Sequence, residues 1–279
     1  MKISLLTCIA VGLFGLVLYF KNSNPYYDPN KAHHTSTGFK NPYLKQDNQS
    51  KSFSDLFKMM TTKRPNPKPQ IAKNLSIDSM IQKINSNNNF ITWVGHSTML
   101  LHINSKTILT NPIFSDRCSP VQFLGPRRYS FPTIDIELLP KIDLIVISHN
   151  HYDHLDKNSV EILGRDPLTV WYVPLGLKEW FNRLNIKNVI ELDWFEKRRQ
   201  DNIEIICLPS QHWSKRSLFK SFDTLWSSWS LKVGNFKFWF AGDTGYNKIQ
   251  FKKIGDKYGP FDLSAIPIGA YEPRWFMKS

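Results

Sequence analysis

Three imidazoles and one carboxylate fall within six consecutive residues near the middle of the chain. Residues 149–154 read HNHYDH and directly follow the apolar run DLIVIS, whose length suits a strand buried on both faces. Imidazole nitrogens and carboxylate oxygens are ordinary zinc ligands, but one ion cannot easily accept four groups from so short a loop. The spacing therefore predicts two neighbouring metal ions, with His149 and His151 turned toward one of them. Asp153 and His154, further along the turn, can face the second ion.

Two later residues of metal-binding type also follow predicted strands. A strand predicted at 203–208 leads into His212, and a strand predicted at 237–241 leads into Asp243. Loops at the ends of strands commonly carry functional side chains on a rigid scaffold. A carboxylate has lone pairs on both oxygens, so Asp243 can bridge two cations. A single His or Asp in such a loop more often has a structural role. His212 and Asp243 are interpreted as metal ligands because they would join the first cluster.

The sequence around these residues closely resembles that of one family. SHNHYDHLD, followed by PSQHW and FAGDTGY, looks like the metallo-β-lactamase superfamily. The flanking runs WVGHST, NPIF, GPRR, VPLG, ELDW and IPIGAYEPRWFM resemble the N-acyl-phosphatidylethanolamine phospholipase D branch of that superfamily and its bacterial relatives. The similarity extends from about residue 38 to the C-terminus.

The resemblance implies an α/β fold of the αββα sandwich type and a hydrolase that uses two zinc ions. The implied metal ligands are His149, His151 and His212 for one zinc, Asp153 and His154 for the other, and Asp243 as the bridge between both. Of these, Asp153 and Asp243 are also the implied catalytic residues. Zinc lowers the pKa of bound water to about 7, so hydroxide is available to attack a phosphodiester at neutral pH. The implied products are phosphatidic acid and an N-acylethanolamine, released from a membrane phospholipid.

Two departures from the family pattern bear on the second ion. Asn111 stands where the family usually has an aspartate that supports the metal loop, and asparagine keeps the shape but removes the charge. The chain ends at Ser279, whereas the family continues into further elements that include a histidine of the second metal site. We therefore expect an incomplete domain, unless a separate C-terminal fragment completes it. His96 and His102 are interpreted as core or supporting histidines, with His96 behind the metal ligands.

The rest of the chain is predicted to connect this domain to a membrane. Residues 3–20 carry no charge and lie at the lower limit of length for spanning a bilayer, so we expect residues 1–21 to be a single N-terminal transmembrane anchor. A cleaved signal peptide is the alternative, and the side of the membrane stays open. Residues 22–70 are rich in Asn, Ser, Lys and Pro and are expected to form an extended tether in which His33 and His34 are solvated. The hydrolase domain would then occupy residues 71–279.

Composition and periodicity are consistent with this organisation. A hydrophobic share of 41% allows a sizeable core, and a net charge of +13 favours an anionic partner such as a membrane surface. The densest basic cluster has three residues, 197–199, so no nucleic-acid partner is expected. Strands are predicted at 90–94, 99–103, 106–110, 143–148, 169–173, 203–208, 229–233, 237–241 and 263–267, and helices at 157–163, 177–184 and 248–258. This pattern indicates sheets covered by helices.

The sequence leaves three functions open. The first is a zinc-dependent phosphodiesterase acting on N-acyl phospholipids. The second is a different hydrolase on the same scaffold, such as a lactonase or another phosphodiesterase, because a fold does not fix a function. The third is an inactive, truncated remnant. The pattern does not predict an oligomeric state.

Overall fold

The computed structural model describes residues 23–44, 54–55, 58, 61–62, 76–217, 220–269 and 275. Within these ranges, no helix is both long and apolar enough to cross a membrane. This finding corrects the expected localisation, in which a single N-terminal span holds the chain in a membrane. The stretch 3–20 on which that expectation rested lies outside the described residues. The proposed domain limits at residues 22 and 71 stay predictions.

Residues 23–44 form an arm that packs against the rest of the chain. It contains two short antiparallel strands, β1 (His34–Thr35) and β2 (Gly38–Phe39). The Phe39 side chain is buried in the main core, and its N–H donates to the carbonyl of Phe222 at 2.8 Å. This part of the expected tether is therefore docked on the fold.

A six-stranded sheet carries the first metal motif. β3 (Phe90–Gly95), β4 (Thr98–Ile103) and β5 (Lys106–Thr110) form an antiparallel meander. β6 (Leu144–Val146), β7 (Val170–Pro174) and β8 (Val189–Leu192) then add to it in parallel and in chain order. Parallel neighbours end at the same edge of a sheet, so the loops after β5 and β6 emerge side by side.

A five-stranded sheet carries the later metal-binding residues. Its order is β13 (Leu263–Ala265), β12 (Phe236–Phe240), β11 (Ser228–Val233), β10 (Ile203–Leu208) and β9 (Lys197–Gln200). All neighbours are antiparallel except β12 and β13, which are parallel.

Among the residues that the structure describes, four helices cover the outer faces of the two sheets. They are α1 (Ile77–Asn85), α2 (Lys157–Leu163), α3 (Lys178–Asn182) and α4 (Lys248–Tyr258). Side chains of Ser76, Asp156 and Asn247 accept hydrogen bonds from the first backbone N–H groups of α1, α2 and α4, which fixes where these helices begin.

Alternation along the strands builds three cores. In β4, Leu101 packs between the two sheets while its neighbour Leu100 packs beneath α1, α2 and α3. In β10, Ile205 faces the first sheet while Ile206 packs against Ile254 of α4. The order helices, sheet, sheet, helix is the αββα arrangement that the resemblance implied.

Candidate metal centre

The loop that carries the first motif is held at its C-terminal end and from behind. Asp156, which follows it, caps α2 and also accepts hydrogen bonds from the backbone and the hydroxyl of Ser115, at 3.0 and 2.9 Å. Behind the loop, the Arg216 guanidinium donates to the carbonyls of Asn150 and Leu155, at 3.0 and 2.7 Å. The cation also lies over the ring of Tyr152, 4.3 Å from its centroid. The loop backbone is thus held from two sides.

Three ring nitrogens converge at the end of this loop. His149 Nε2 lies 3.0 Å from His151 Nδ1 and 3.1 Å from His212 Nε2, and the remaining distance, from His212 Nε2 to His151 Nδ1, is 3.2 Å. The His149 and His151 rings come from the loop after β6, and His212 comes from the loop after β10. Both sheets therefore contribute to one cluster.

This cluster has the geometry of a metal site. With zinc–nitrogen bonds of about 2.0–2.1 Å in a tetrahedron, two ligand nitrogens would lie about 3.3 Å apart, close to the three observed distances. The buried Nε2 of His151, on the other side of that ring, has no hydrogen-bond partner, so the ring is not oriented by an outer partner. The donor atoms of His149, His151 and His212 therefore fit a single zinc-type ion.

Asp243 stands between this cluster and a second group of donors. Its Oδ2 lies 3.8 Å from His212 Nε2 and 3.3 Å from His154 Nε2. Asp153 Oδ2 lies 3.6 Å from the same His154 nitrogen. His96 Nε2 also contacts Asp153 Oδ2, at 3.2 Å. The structure thus brings all six predicted ligands together and adds His96, which the sequence placed only behind them.

Burial and neighbouring charges shift the histidine pKa values of the two groups in opposite directions. Burial lowers the pKa of His149 well below its ordinary value and that of His151 to about 3, and the neighbouring imidazoles lower both further. Burial also lowers the pKa of His212. Burial alone would lower the pKa of His154 as well, but the carboxylates of Asp243 and Asp153 raise it to about 9. The first group therefore keeps neutral imidazoles, which is the form that binds a metal.

The same interactions keep both carboxylates ionised. Burial opposes ionisation of Asp153, but His154 and a hydrogen bond from His96 hold its pKa well below the usual range. Burial likewise opposes ionisation of Asp243, and His154 again lowers the pKa. Two carboxylates beside the neutral imidazoles of the first group suit a cation.

Asn111 lies directly behind the second group. It is fully buried, and its backbone φ of +33° is one that asparagine adopts more readily than most residues. Its side chain contacts Ser148 and His154. Asn111 therefore contacts residues of the metal loop, and its role in supporting that loop stays a prediction.

The arm supplies three contacts that the sequence analysis missed. The Asn41 side-chain amide donates to the backbone carbonyl of His212 at 2.8 Å. His33 and His34 are buried and contact the Asp193 carboxylate at 2.7 and 3.0 Å. The expectation that this histidine pair is solvated is therefore wrong. Asp193 is distant from both histidines in the sequence. The sequence analysis noted it only as part of the motif ELDW.

Comparison with known proteins identifies the class to which this fold and site belong. Residues 106–279 match the family profile described as "Beta-lactamase superfamily domain". The chain belongs to the metallo-β-lactamase superfamily, which confirms the family and the hydrolase class expected from the motifs. A solved structure titled as a possible metal-dependent hydrolase from Veillonella parvula aligns with a TM-score of 0.51 at 17% identity, covering 61% of this chain and 68% of that one. At this identity the likeness shows the fold alone.

Within the superfamily, the chain is similar to curated lipid hydrolases. It is 47% identical over 200 residues to N-acyl-phosphatidylethanolamine-hydrolyzing phospholipase D 1 of Caenorhabditis elegans, covering 68% of this chain and 56% of the relative. It is 38% identical over 193 residues to the mitochondrial protein of the same activity name in Saccharomyces cerevisiae, covering 67% of this chain and 41% of the relative. The chain spans about half the length of the curated relatives it matches.

Proposed function

We propose that this protein is a zinc-dependent phosphodiesterase that cleaves N-acyl phospholipids as a phospholipase D does. The observation that carries the proposal is the triangle of ring nitrogens from His149, His151 and His212, with the Asp243 carboxylate beside it. The relatives named as N-acyl-phosphatidylethanolamine hydrolases support the substrate class. The overall reaction adds water across the phosphorus–oxygen bond on the ethanolamine side. It releases phosphatidic acid and an N-acylethanolamine.

The chain's own groups have distinct roles in this reaction. His149, His151 and His212 would hold the zinc ion, which supplies hydroxide at neutral pH because it lowers the pKa of bound water to about 7. The ionised Asp243 would complete the ligand set or accept a proton at Oδ2. His154 faces the same space through Nε2, from which an N–H can donate to a phosphoryl oxygen and offset its charge.

An apolar hairpin beside the centre favours a lipid as the substrate. Residues 116–128 form this hairpin, in which the Cys118 N–H donates to the carbonyl of Pro126 at 3.2 Å. Its tip exposes Phe123 and Leu124, which are 83% and 67% accessible. Burial and then the charge of Asp153 raise the pKa of the Cys118 thiol, which places the hairpin base near the metal centre.

This hairpin suits an interface with anionic lipid. Exposed apolar side chains next to one another commonly mark a binding surface. Three arginines and one aspartate lie in residues 116–128, and the whole chain carries +13. Basic side chains around an apolar tip are complementary to a phospholipid surface, with the tip among the acyl chains and the charges near the phosphates. Hydrolysis of a small soluble lactone would not require contact with a lipid surface.

The test is hydrolysis of N-acyl-phosphatidylethanolamine by the full chain loaded with zinc. We expect phosphatidic acid and N-acylethanolamine in equal amounts, and loss of both bound zinc and turnover in His149→Ala. His102→Ala is a control, because His102 hydrogen-bonds to Thr107 within the first sheet and contacts none of the six ligands. Zinc bound at the expected site without any turnover of this lipid would refute the substrate and leave the other hydrolases or the inactive remnant.

A further inference from the structure

We propose that the start of helix α4 is a second lipid-contact surface, where Tyr246 and Ile249 enter the headgroup region of a membrane and the lysines of the helix bind anionic phospholipid. The inference rests on the proposed function, because it concerns how the chain docks on the layer that holds its lipid substrate. It adds to the apolar hairpin a contact surface at the other end of the metal centre.

Helix α4 begins directly beside the metal ligands. Its N-cap residue, Asn247, follows the loop that carries Asp243, and its side chain accepts hydrogen bonds from the first N–H groups of the helix. The Asn247 amide also donates to Gln211 Oε1 at 2.9 Å, and Gln211 immediately precedes the ligand His212. The start of α4 is therefore fixed at the edge of the second sheet from which both ligands emerge.

The hairpin and α4 lie at opposite ends of the ligand cluster. Asp153 Oδ2 lies 3.6 Å from His154 Nε2, which lies 3.3 Å from Asp243 Oδ2, which in turn lies 3.8 Å from His212 Nε2. The base of the apolar hairpin is near Asp153, whereas α4 starts next to His212. A membrane that contacts both elements would therefore cover the metal centre between them.

Two large side chains are exposed at the start of α4. Tyr246 is 77% accessible and Ile249 is 56% accessible. The Tyr246 ring packs edge-on against Phe251, with 5.5 Å between the ring centroids, which holds it at the surface. Tyrosine has an apolar ring and a polar hydroxyl, so it suits the boundary between acyl chains and water. These side chains form a small apolar patch at the mouth of the site.

Lysines border this patch. Residues 248–258 contain four lysines and one aspartate, and Asp256 pairs with Lys252 at 2.8 Å. The Lys253 ammonium lies over the Phe195 ring, 4.4 Å from its centroid. Within the part of the chain that the structure describes, neither Lys248 nor Lys253 lies in an ion pair. Their charges are therefore available to lipid phosphates.

The basic surface continues onto the edge strand β9. Lys197 pairs with Ile206 of β10, and Ile206 packs against Ile254 of α4. Residues directly opposite each other in antiparallel strands share a face, so Lys197 lies on the side of the sheet that α4 covers. Arg199, which is also exposed, follows on the same face opposite Glu204. This face therefore has an excess of positive charge beyond the helix itself.

Charge and hydrophobicity together favour a phospholipid surface as the occupant. An apolar patch bordered by lysines places apolar groups at the acyl boundary and cations among the phosphates. A second copy of this chain would bring the same net charge, +13, to the same face and be repelled. A nucleic acid would engage the lysines but leave Ile249 in water.

The test is hydrogen exchange of the full zinc-loaded chain, with and without vesicles that contain no N-acyl-phosphatidylethanolamine. Vesicles of phosphatidylcholine with phosphatidylglycerol should slow exchange in residues 246–253 by at least about tenfold, because each lysine near an anionic surface contributes about a factor of five. Vesicles of phosphatidylcholine alone should have a smaller effect, and added salt should reduce the protection. The amides of α1 should not change.

Two pairs of variants locate the contact. Lys248→Glu combined with Lys253→Glu should abolish the protection of α4. Lys141→Glu combined with Lys187→Glu should retain it, because these exposed lysines precede β6 and β8 at the far edge of the first sheet and the change in net charge is the same.

The second pair tests the apolar contact. Ile249→Asp should weaken the protection by about tenfold, and an acidic residue in the first turn of a helix does not threaten its folding. Ile81→Asp is the control, because Ile81 is 47% exposed and lies on α1, which covers the other sheet.

Several results would overturn the proposal. Unchanged exchange in α4 of the wild-type chain with anionic vesicles would do so without any variant. Equal losses of protection in the members of either pair would also contradict it. Protection by a DNA oligonucleotide as strong as that by vesicles, or protection that rises with protein concentration alone, would assign the surface to another partner.

The outcomes separate this inference from the proposed function. Protection of α4 by anionic vesicles, with no hydrolysis of N-acyl-phosphatidylethanolamine, would refute the function and leave the contact surface intact. Hydrolysis of that lipid with α4 unprotected would do the reverse.

Discussion

Replacing Asp193 with alanine should release the arm from the fold. The Asp193 side chain is 1% exposed and contacts Lys31, His33 and His34, at 2.5, 2.7 and 3.0 Å. It also accepts from the backbone N–H of Trp194 at 2.7 Å. Removing one member of a buried charge cluster costs about 3–5 kcal/mol, because the partners stay buried without compensation. Since each 1.4 kcal/mol is a factor of ten, opening of the arm should become about a hundredfold more frequent, or more.

Hydrogen exchange followed by mass spectrometry measures this opening. We expect the amides of residues 31–40 to exchange faster in Asp193→Ala, while amides in β6 and β7 change less. Asp256→Ala is the control, because its pair with Lys252 lies on the surface of α4 and such pairs contribute about 0.3–0.5 kcal/mol. Unchanged exchange in the arm of Asp193→Ala would refute the conclusion that the cluster holds the arm.

The pH dependence of this effect has a definite sign. Burial opposes ionisation of Asp193, but hydrogen bonds from His33 and Lys31 hold its folded pKa well below the ordinary range. A carboxyl whose pKa is lower in the folded state stabilises the fold fully above its unfolded pKa of about 3.9. That contribution is lost as the pH falls from there toward the folded pKa. The difference in exchange between wild type and Asp193→Ala should therefore be full near neutral pH and shrink below about pH 4.

Two further substitutions have controls of the same chemistry within the chain. Leu124→Asp should slow hydrolysis of lipid in vesicles by about tenfold and leave a dispersed short-chain substrate unaffected, because burying a leucine contributes more than a tenfold change requires. Leu168→Asp is the control, because Leu168 is 64% exposed, close to the 67% of Leu124, and lies at the end of β7 away from the active site. This variant should hydrolyse lipid in vesicles at the wild-type rate. Equal losses of activity in the two variants would contradict the role of the hairpin. Gly242→Ala should lower the unfolding free energy by at least about 1–2 kcal/mol, because φ is +60° and a Cβ atom would lie 2.6 Å from Ser148 Cβ. Gly255→Ala in α4, where a Cβ meets nothing within 4 Å, should instead be stabilising by about 0.5–1 kcal/mol, and thermal unfolding of both variants checks the pair.

Local patterns predicted most of the regular elements. The helix expected at 157–163 is α2 (Lys157–Leu163), and the one expected at 248–258 is α4 (Lys248–Tyr258). The strand expected at 143–148 is shorter, Leu144–Val146, because the chain leaves the sheet there to enter the metal loop. β9 (Lys197–Gln200) escaped notice because its four residues, KRRQ, carry no apolar alternation. It is a strand because its backbone pairs with β10.

The site was predictable where its residues lie close together in the sequence. The first motif needs only a strand, a turn and the chemistry of imidazole and carboxylate. The arm, in contrast, could not be predicted from its own residues. Its structure depends on a contact with Asp193, which is 160 residues from His33. The same holds for Arg216, a basic residue in a polar segment whose partners are backbone carbonyls of the metal loop. Such contacts leave no local pattern in a single sequence.

The arm also sets where the smallest working unit of this protein can begin. The region that matches the family profile starts at residue 106, after β3 and β4, and leaves out Phe39 and Asn41. A fragment cut at that boundary would lack the buried Leu100 and Leu101 of β4 and the hydrogen bond that holds the carbonyl of His212. The start of the region that matches the family profile is therefore not a boundary of folding. Any shortened version intended for crystallisation or enzymology should retain the chain from residue 23 onward.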